Sequence, residues 1–177
     1  MIRLENMLPK AFLVGIMEMV DRFGPEETYN WIETIGAKLA EIEGPGFEGA
    51  RENHVNFLPV CPFGSDFIEF VEMYGGEQPP QFVKIIEYVK DKKDSSKDGW
   101  KYPALSGVLG ILHYSYSKKR AELAGADLLS VGSKSALTEE LEYNYKAIEK
   151  AGMTKEEVDS YLEKSYCVFK INYHDEG

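Results

Sequence analysis

The chain has 177 residues, 44% of them hydrophobic and 28% charged, the balance of a folded domain rather than of a disordered or fibrous chain. A chain of this length buries roughly 70% of the surface its unfolded form exposes, so one domain spanning residues 1–177 with a real core is expected. The 30 acidic and 20 basic residues give a formal charge of -10, a field that opposes approach to polyanions, and neither nucleic acid nor a membrane is an expected partner.

Cys61 and Cys167 lie outside any CxxC pair and are too few for a disulfide framework, which points to a reducing, cytoplasmic setting. The most apolar N-terminal stretch, residues 11–17, runs straight into Glu18 and Asp21. It is too short and too interrupted to span a bilayer, and it lacks a small-residue cleavage site.

Glycine and proline divide the chain into elements. Pro9 to Phe23 forms a first helix, ended by Gly24, and Pro25 opens a second that runs to Glu43, with Trp31, Ile35, Leu39 and Ile42 at helical spacing. So short a link packs the two helices antiparallel. Residues 47–64 carry no helical period, and Val55, Phe57 and Val60 suggest a short irregular strand. The apolar set Phe67, Ile68, Phe70, Val71 and Tyr74, after Ser65 as a candidate N-cap, fits either a helix or a buried strand and ends at Gly75-Gly76.

From Pro80, residues Phe82, Ile85, Ile86 and Val89 mark an amphipathic helix, and the polar run from Asp91 to Gly99 reads as an exposed loop. Pro103 to Ala124 reads as the longest helix, closed by Gly125, with a small-residue track through Ser106 and Gly110. Another helix is predicted from Thr138 to Ala151, and Thr154 with Glu157 forms a capping box for one more, to about Lys164. Cys167, Phe169, Ile171 and Tyr173 then alternate with Val168, Lys170 and Asn172, the pattern of a strand. Its unpaired backbone needs a partner, and the segment around residues 55–61 supplies one. The expected fold is α+β: a mostly helical single domain with a small antiparallel sheet that includes the C-terminal strand.

Three constellations suggest chemistry. An antiparallel pairing with Cys61 opposite Cys167 and His54 opposite His174 would assemble two thiols and two imidazoles, the composition of many zinc sites. The seven-residue spacing, however, puts each His and Cys on opposite strand faces and roughly 23 Å apart, so no metal is expected. Cys61, followed by Pro62, is the candidate nucleophile if the fold brings it a histidine, whereas Cys167 reads as core. On the helix from Pro103, residues Ser106, Gly110, His113 and Ser117 follow one face beside Tyr114 and Tyr116, which suggests either helix packing or a pocket with His113 as its polar anchor. The Gly132-Ser133-Lys134-Ser135 run departs from the phosphate-loop order. Lys118-Lys119-Arg120, being consecutive on a helix, point in different directions and read as solvated.

The Ile35-Gly36-x-x-Leu39-Ala40 run, the Cys61-Pro62 pair and the closing Cys167-Val168-Phe169-Lys170-Ile171 strand resemble the 4-vinyl reductase type of small-molecule-binding domain, also described as hydrocarbon-binding. The resemblance implies an α+β fold that holds a small apolar or tetrapyrrole-like ligand, often as a homodimer. The closing Cys-x-Phe strand also resembles the end of thiazoline-carboxylate hydrolase-like proteins, which would imply an enzyme.

The reading reached is a small-molecule-binding or accessory domain without a cofactor, forming a homo-oligomer. Its ligand is expected between the 103–124 helix and the sheet, lined by Cys61, Phe63, His113, Tyr116 and Phe169. A cysteine-dependent hydrolase using Cys61 and a structural subunit burying its Trp31 and Phe82 faces in an oligomer are the alternatives.

Overall fold

The computed structural model describes residues 7–61, 64–92, 107–135 and 139–174. Gly24 and Pro25 act as expected. Helix α1 (Met7–Glu43) breaks at Gly24, whose φ of 84° and ψ of 172° suit a residue without Cβ, and Pro25 restarts it. The Phe12 and Trp31 rings stack with centroids 5.6 Å apart, whereas on an unbroken helix they would be separated by roughly 28 Å. The two arms of α1 therefore form an antiparallel hairpin.

The apolar set after Gly64 is helical: Phe67, Phe70 and Val71 of α2 (Gly64–Met73) share one buried face. Helix α3 (Pro80–Lys92) buries Phe82, Ile85, Ile86 and Val89, the four positions its periodicity marks. Of these, Phe82, Ile85 and Val89 join Leu13, Ile16, Val20, Tyr29 and Ile32 of α1 and Val108, Leu109 and Ile111 of α4 (Gly107–Leu123) in one helical core. Phe82 is thus spent inside the molecule and offers no face to an oligomer partner. The second arm of α1 touches α4 backbone to backbone at Gly36, where a Cβ would fall 2.6 Å from the Leu112 carbonyl oxygen and 2.1 Å from Ser115 Oγ. The small residue that permits the close approach lies on α1 rather than on the Ser106–Gly110 track; Ser106 falls outside the described residues, as do 93–99 of the expected loop.

The sheet has five strands in the order β1 (Ala50–Glu52), β2 (Val55–Leu58), β5 (Cys167–Tyr173), β3 (Ala126–Lys134), β4 (Leu141–Tyr143), and every neighbouring pair is antiparallel. The C-terminal strand does pair with the 55–58 segment, but in another register: Leu58 lies opposite Cys167 and Val55 opposite Lys170, which places His54 against Ile171. Pro59 has no N–H to extend the ladder, so β2 stops before Val60 and Cys61 reach it. Asn53 and His54 both have positive φ (50° and 60°) and make the tight turn from β1 to β2.

Strand β3 is a departure from expectation, since nothing was assigned to residues 126–134, yet it lies beside β5 at the middle of the sheet. The helix expected from Thr138 to Ala151 is a second one. Residues 141–143 form β4, and only Tyr145–Lys150 (α5) is helical, because the Asn144 side chain accepts from Ala147 N at 3.0 Å and starts the helix there. The Thr154–Glu157 capping box opens α6 (Lys155–Leu162) as expected.

Alternation along the strands makes a layered structure. Leu58, Ala126, Leu128, Phe169 and Ile171 face α4 and pack on Ala121 and Tyr114. Val55, Phe57, Val131 and Val168 face the other way, onto Ala147 and Ile148 of α5 and Val158 and Leu162 of α6. Helix α4 is the hub, packed on α1 along one side and on the sheet along another.

Candidate functional site

Helix α4 sends its polar side chains in two directions. Toward the segment that follows α1, His113 Nε2 lies 2.9 Å from Glu48 Oε2, and Ser117 Oγ donates to the same carboxylate at 3.2 Å. Ser117 Oγ is also 3.3 Å from His113 Nε2. One turn on, Arg120 Nε donates to the Gly44 carbonyl at 3.0 Å, its guanidinium donates to the Tyr116 hydroxyl, and that hydroxyl donates to Glu43. Gly46 N closes the arrangement on the Arg120 carbonyl, and a Cβ at Gly46 would strike the Arg120 guanidinium at 2.5 Å.

Burial alone would discourage ionisation of Glu48, but the hydrogen bond and charge of His113, the Ser117 hydroxyl and the nearby Arg120 outweigh it and hold the carboxyl below its usual range. Tyr116 is pushed the opposite way, by burial and by its bond to the Glu43 carboxylate, and keeps its proton. The network therefore has the composition of a catalytic triad but not its geometry. A triad needs serine on one ring nitrogen and the acid on the other. Here both meet Nε2, so the imidazole does not stand between serine and acid as a triad requires. The arrangement ties the 43–48 segment to α4.

The other direction is toward the sheet. Tyr114, Lys118 and Glu122 of α4, residues Asp127 to Ser130 of β3, and Asn144, Ala147 and Lys150 around α5 enclose a cleft of about 130 Å³. It exists because β4 pairs only with Gly132–Lys134, which leaves the first half of β3 as an open edge between α4 and α5. Ser130 is 5% exposed and lines this cleft, and among the described residues its hydroxyl has no hydrogen-bond partner.

Of the five residues expected to line one pocket, the four that are described are dispersed. His113, 8% exposed, and Tyr116 belong to the network on the far side of α4 from the cleft. Phe169 stacks on Tyr114 with centroids 6.4 Å apart, inside the layer between α4 and the sheet. Cys61 is half-buried at the end of the β2 segment, close enough to Cys167 to influence it electrostatically. Phe63 falls outside the described residues. Burial, with a smaller contribution from Cys61, pushes the Cys167 thiol up to about 12, so it remains a protonated, unreactive packing group at neutral pH.

His54 packs edge-on against Tyr173 at 5.6 Å, and His174 Nε2 lies 3.4 Å from Asp127, both at the opposite end of β5 from the thiols. Among the described residues no group of three or more His, Cys, Asp and Glu side chains is placed to hold a metal ion, and no helix is long and apolar enough to cross a membrane. The residues of the basic run diverge as helical geometry requires: Lys119 pairs with Glu41 and Glu122, Arg120 turns to Gly44, and Lys118 turns to the cleft. Comparison with family models, curated proteins and solved structures finds no match for this chain.

Proposed function

We propose that the protein is a small-molecule-binding domain of the cytoplasm whose site is the cleft between α4, the open edge of β3, and α5. The observation that carries this reading is the cleft at the open edge of β3, lined by Ser130, whose hydroxyl makes no hydrogen bond to another described residue. A polar group that lines a cleft and has no protein partner is available to hydrogen-bond a ligand. At about 130 Å³ the cleft lies well under the roughly 300–1,000 Å³ of pockets for drug-sized ligands. A tetrapyrrole does not fit it. The ligand class thus moves from small apolar or tetrapyrrole-like to small and polar.

Binding is favoured over cysteine catalysis because His113 is engaged by Glu48 and Ser117, and His54 and His174 lie at the opposite end of β5 from the thiols. An NMR fragment screen tests the reading. Hits are expected to shift the amides of Leu128, Leu129, Ser130 and Asn144 in the wild type and to lose that effect in Ser130→Val, a variant whose thermal unfolding shows it folded. Hits that ignore the cleft, or that bind Ser130→Val equally well, contradict it.

A second reading has its own support. The outer surface of the α1 hairpin exposes Leu8 (74%), Phe23 (60%) and Ile42 (84%), and Met19, Phe23 and Trp31 line an open groove along it. Apolar surface of this kind marks protein contacts, which supports a homo-oligomer joined through α1. Sedimentation should then show a dimer that Phe23→Glu dissociates. A monomer at every concentration in the wild type removes this reading.

A further inference from the structure

The charged groups around the cleft are unequally engaged. Of its two acids, Glu122 lies 3.6 Å from Lys119 Nζ, and Asp127 lies 3.4 Å from His174 Nε2. Its two cations are not held in this way. Lys118 on α4 and Lys150 on α5 have no ion pair among the described residues, although Glu122 is only one helical turn from Lys118.

The backbone adds donors to the same place. Ile171 turns its N–H away from β3 and donates to the His54 carbonyl at 2.8 Å. In an alternating antiparallel ladder, Leu128 and Ser130, opposite Ile171 and Phe169, must then point their backbone groups outward to the open edge. The Leu128 carbonyl is met there by the Tyr114 hydroxyl at 3.5 Å. What remains at the edge are the N–H groups of Leu128 and Ser130, the Ser130 carbonyl and hydroxyl, and, on separate walls of the cleft, the exposed side chains of Lys118 and Lys150.

We infer that the cleft binds a small oxyanion, a carboxylate or phosphate group, clamped between Lys118 and Lys150 and hydrogen-bonded by Ser130 and the edge of β3. This rests on the cleft being a ligand site. Donors with no internal acceptor gain most from an anionic one, since charge-assisted hydrogen bonds are about twice as strong as neutral ones. With the chain at -10, a lining of two lysines and two acids is less repulsive to an anion than the surface as a whole.

The test is an NMR titration of the full chain with three probes: inorganic phosphate, succinate, and the uncharged succinamide. Saturable shifts at Leu128 to Ser130 and at Lys150 are expected with phosphate or succinate and absent with succinamide, the responding anion telling phosphate from carboxylate. Lys118→Gln with Lys150→Gln, placed on the cleft rim, should weaken the binding by about tenfold or more while the spectrum elsewhere stays that of the folded chain. Succinamide binding as well as succinate, with the effect lost in Ser130→Val, overturns the oxyanion assignment and leaves the cleft as a ligand site. Anion shifts that are unchanged in the double lysine variant also overturn it. No cleft response to any of the three probes, together with a fragment screen that ignores Ser130, removes both.

Discussion

Two serines on either side of α4 show how alike a structural and a binding position look until their partners are counted. Ser117 and Ser130 are both nearly inaccessible. Ser117 Oγ donates to Glu48 and sits against His113, in a network where Arg120, Tyr116, Glu43 and Gly44 are also engaged. Ser130, across the helix, lines a cleft whose lysines and hydroxyl find no such partners among the described residues. A closed network holds the chain in place; an open one is suited to take something else. What differs is not burial or residue type but whether the polar groups have already been satisfied.

The most damaging change removes the helix that carries both sides. Gly36→Val pushes a branched side chain into the Leu112 carbonyl, and because backbone cannot yield as a flexible side chain does, a loss of about 3 kcal/mol in urea unfolding is expected. A loss under about 1 kcal/mol would show that α1 and α4 are not seated as described.

Breaking only the closed side should cost less. Glu48→Ala strands the buried His113 and Ser117 groups, for an expected loss of about 2 kcal/mol. The same carboxylate sets a pH dependence. Its folded pKa is lowered relative to the ordinary 4.5, so the stability it contributes is fully present above that value and is lost as pH falls through the lower folded one. Urea midpoints taken from neutral pH down to acid should fall more steeply in the wild type than in Glu48→Gln, and parallel curves would count against the network.

On the cleft side, Asn144→Ala removes the N-cap of α5 and should cost about 1 kcal/mol in thermal unfolding, with the cleft wall loosened as α5 frays. A variant as stable as the wild type would mean that the cap does not hold that wall.

The helical layer was legible in the sequence because its signals are local. Gly24-Pro25 states a turn, Phe82, Ile85, Ile86 and Val89 state one face, and Thr154 with Glu157 states a helix start. The C-terminal strand was legible from its alternation, and so was its need for the 55–58 segment. Its register was not, because the three-residue offset depends on the Asn53-His54 turn and on Pro59 ending the ladder. Strand β3 escaped because Leu128-Leu129 interrupts the alternation and a bulge between Ser130 and Gly132 interrupts it again.

The candidate site was less legible still. His113, Tyr116, Phe169 and Cys61 were grouped by chemistry, but α4 turns the first two toward Glu48 and Glu43 rather than into the cleft. Lys118 was visible only as part of a basic run. Ser130 and Lys150 carry no sequence signal, since they matter only because β4 is too short to cover the edge of β3.

The most direct test of the contrast compares Ser117→Ala with Ser130→Ala in the same two assays, urea unfolding and titration with phosphate and succinate. The account predicts that Ser117→Ala loses about 1 kcal/mol of stability and keeps wild-type anion binding. Ser130→Ala should stay within about 0.5 kcal/mol of wild-type stability and bind the responding anion more weakly. Equal stability losses, or unaltered anion binding in Ser130→Ala, would contradict it.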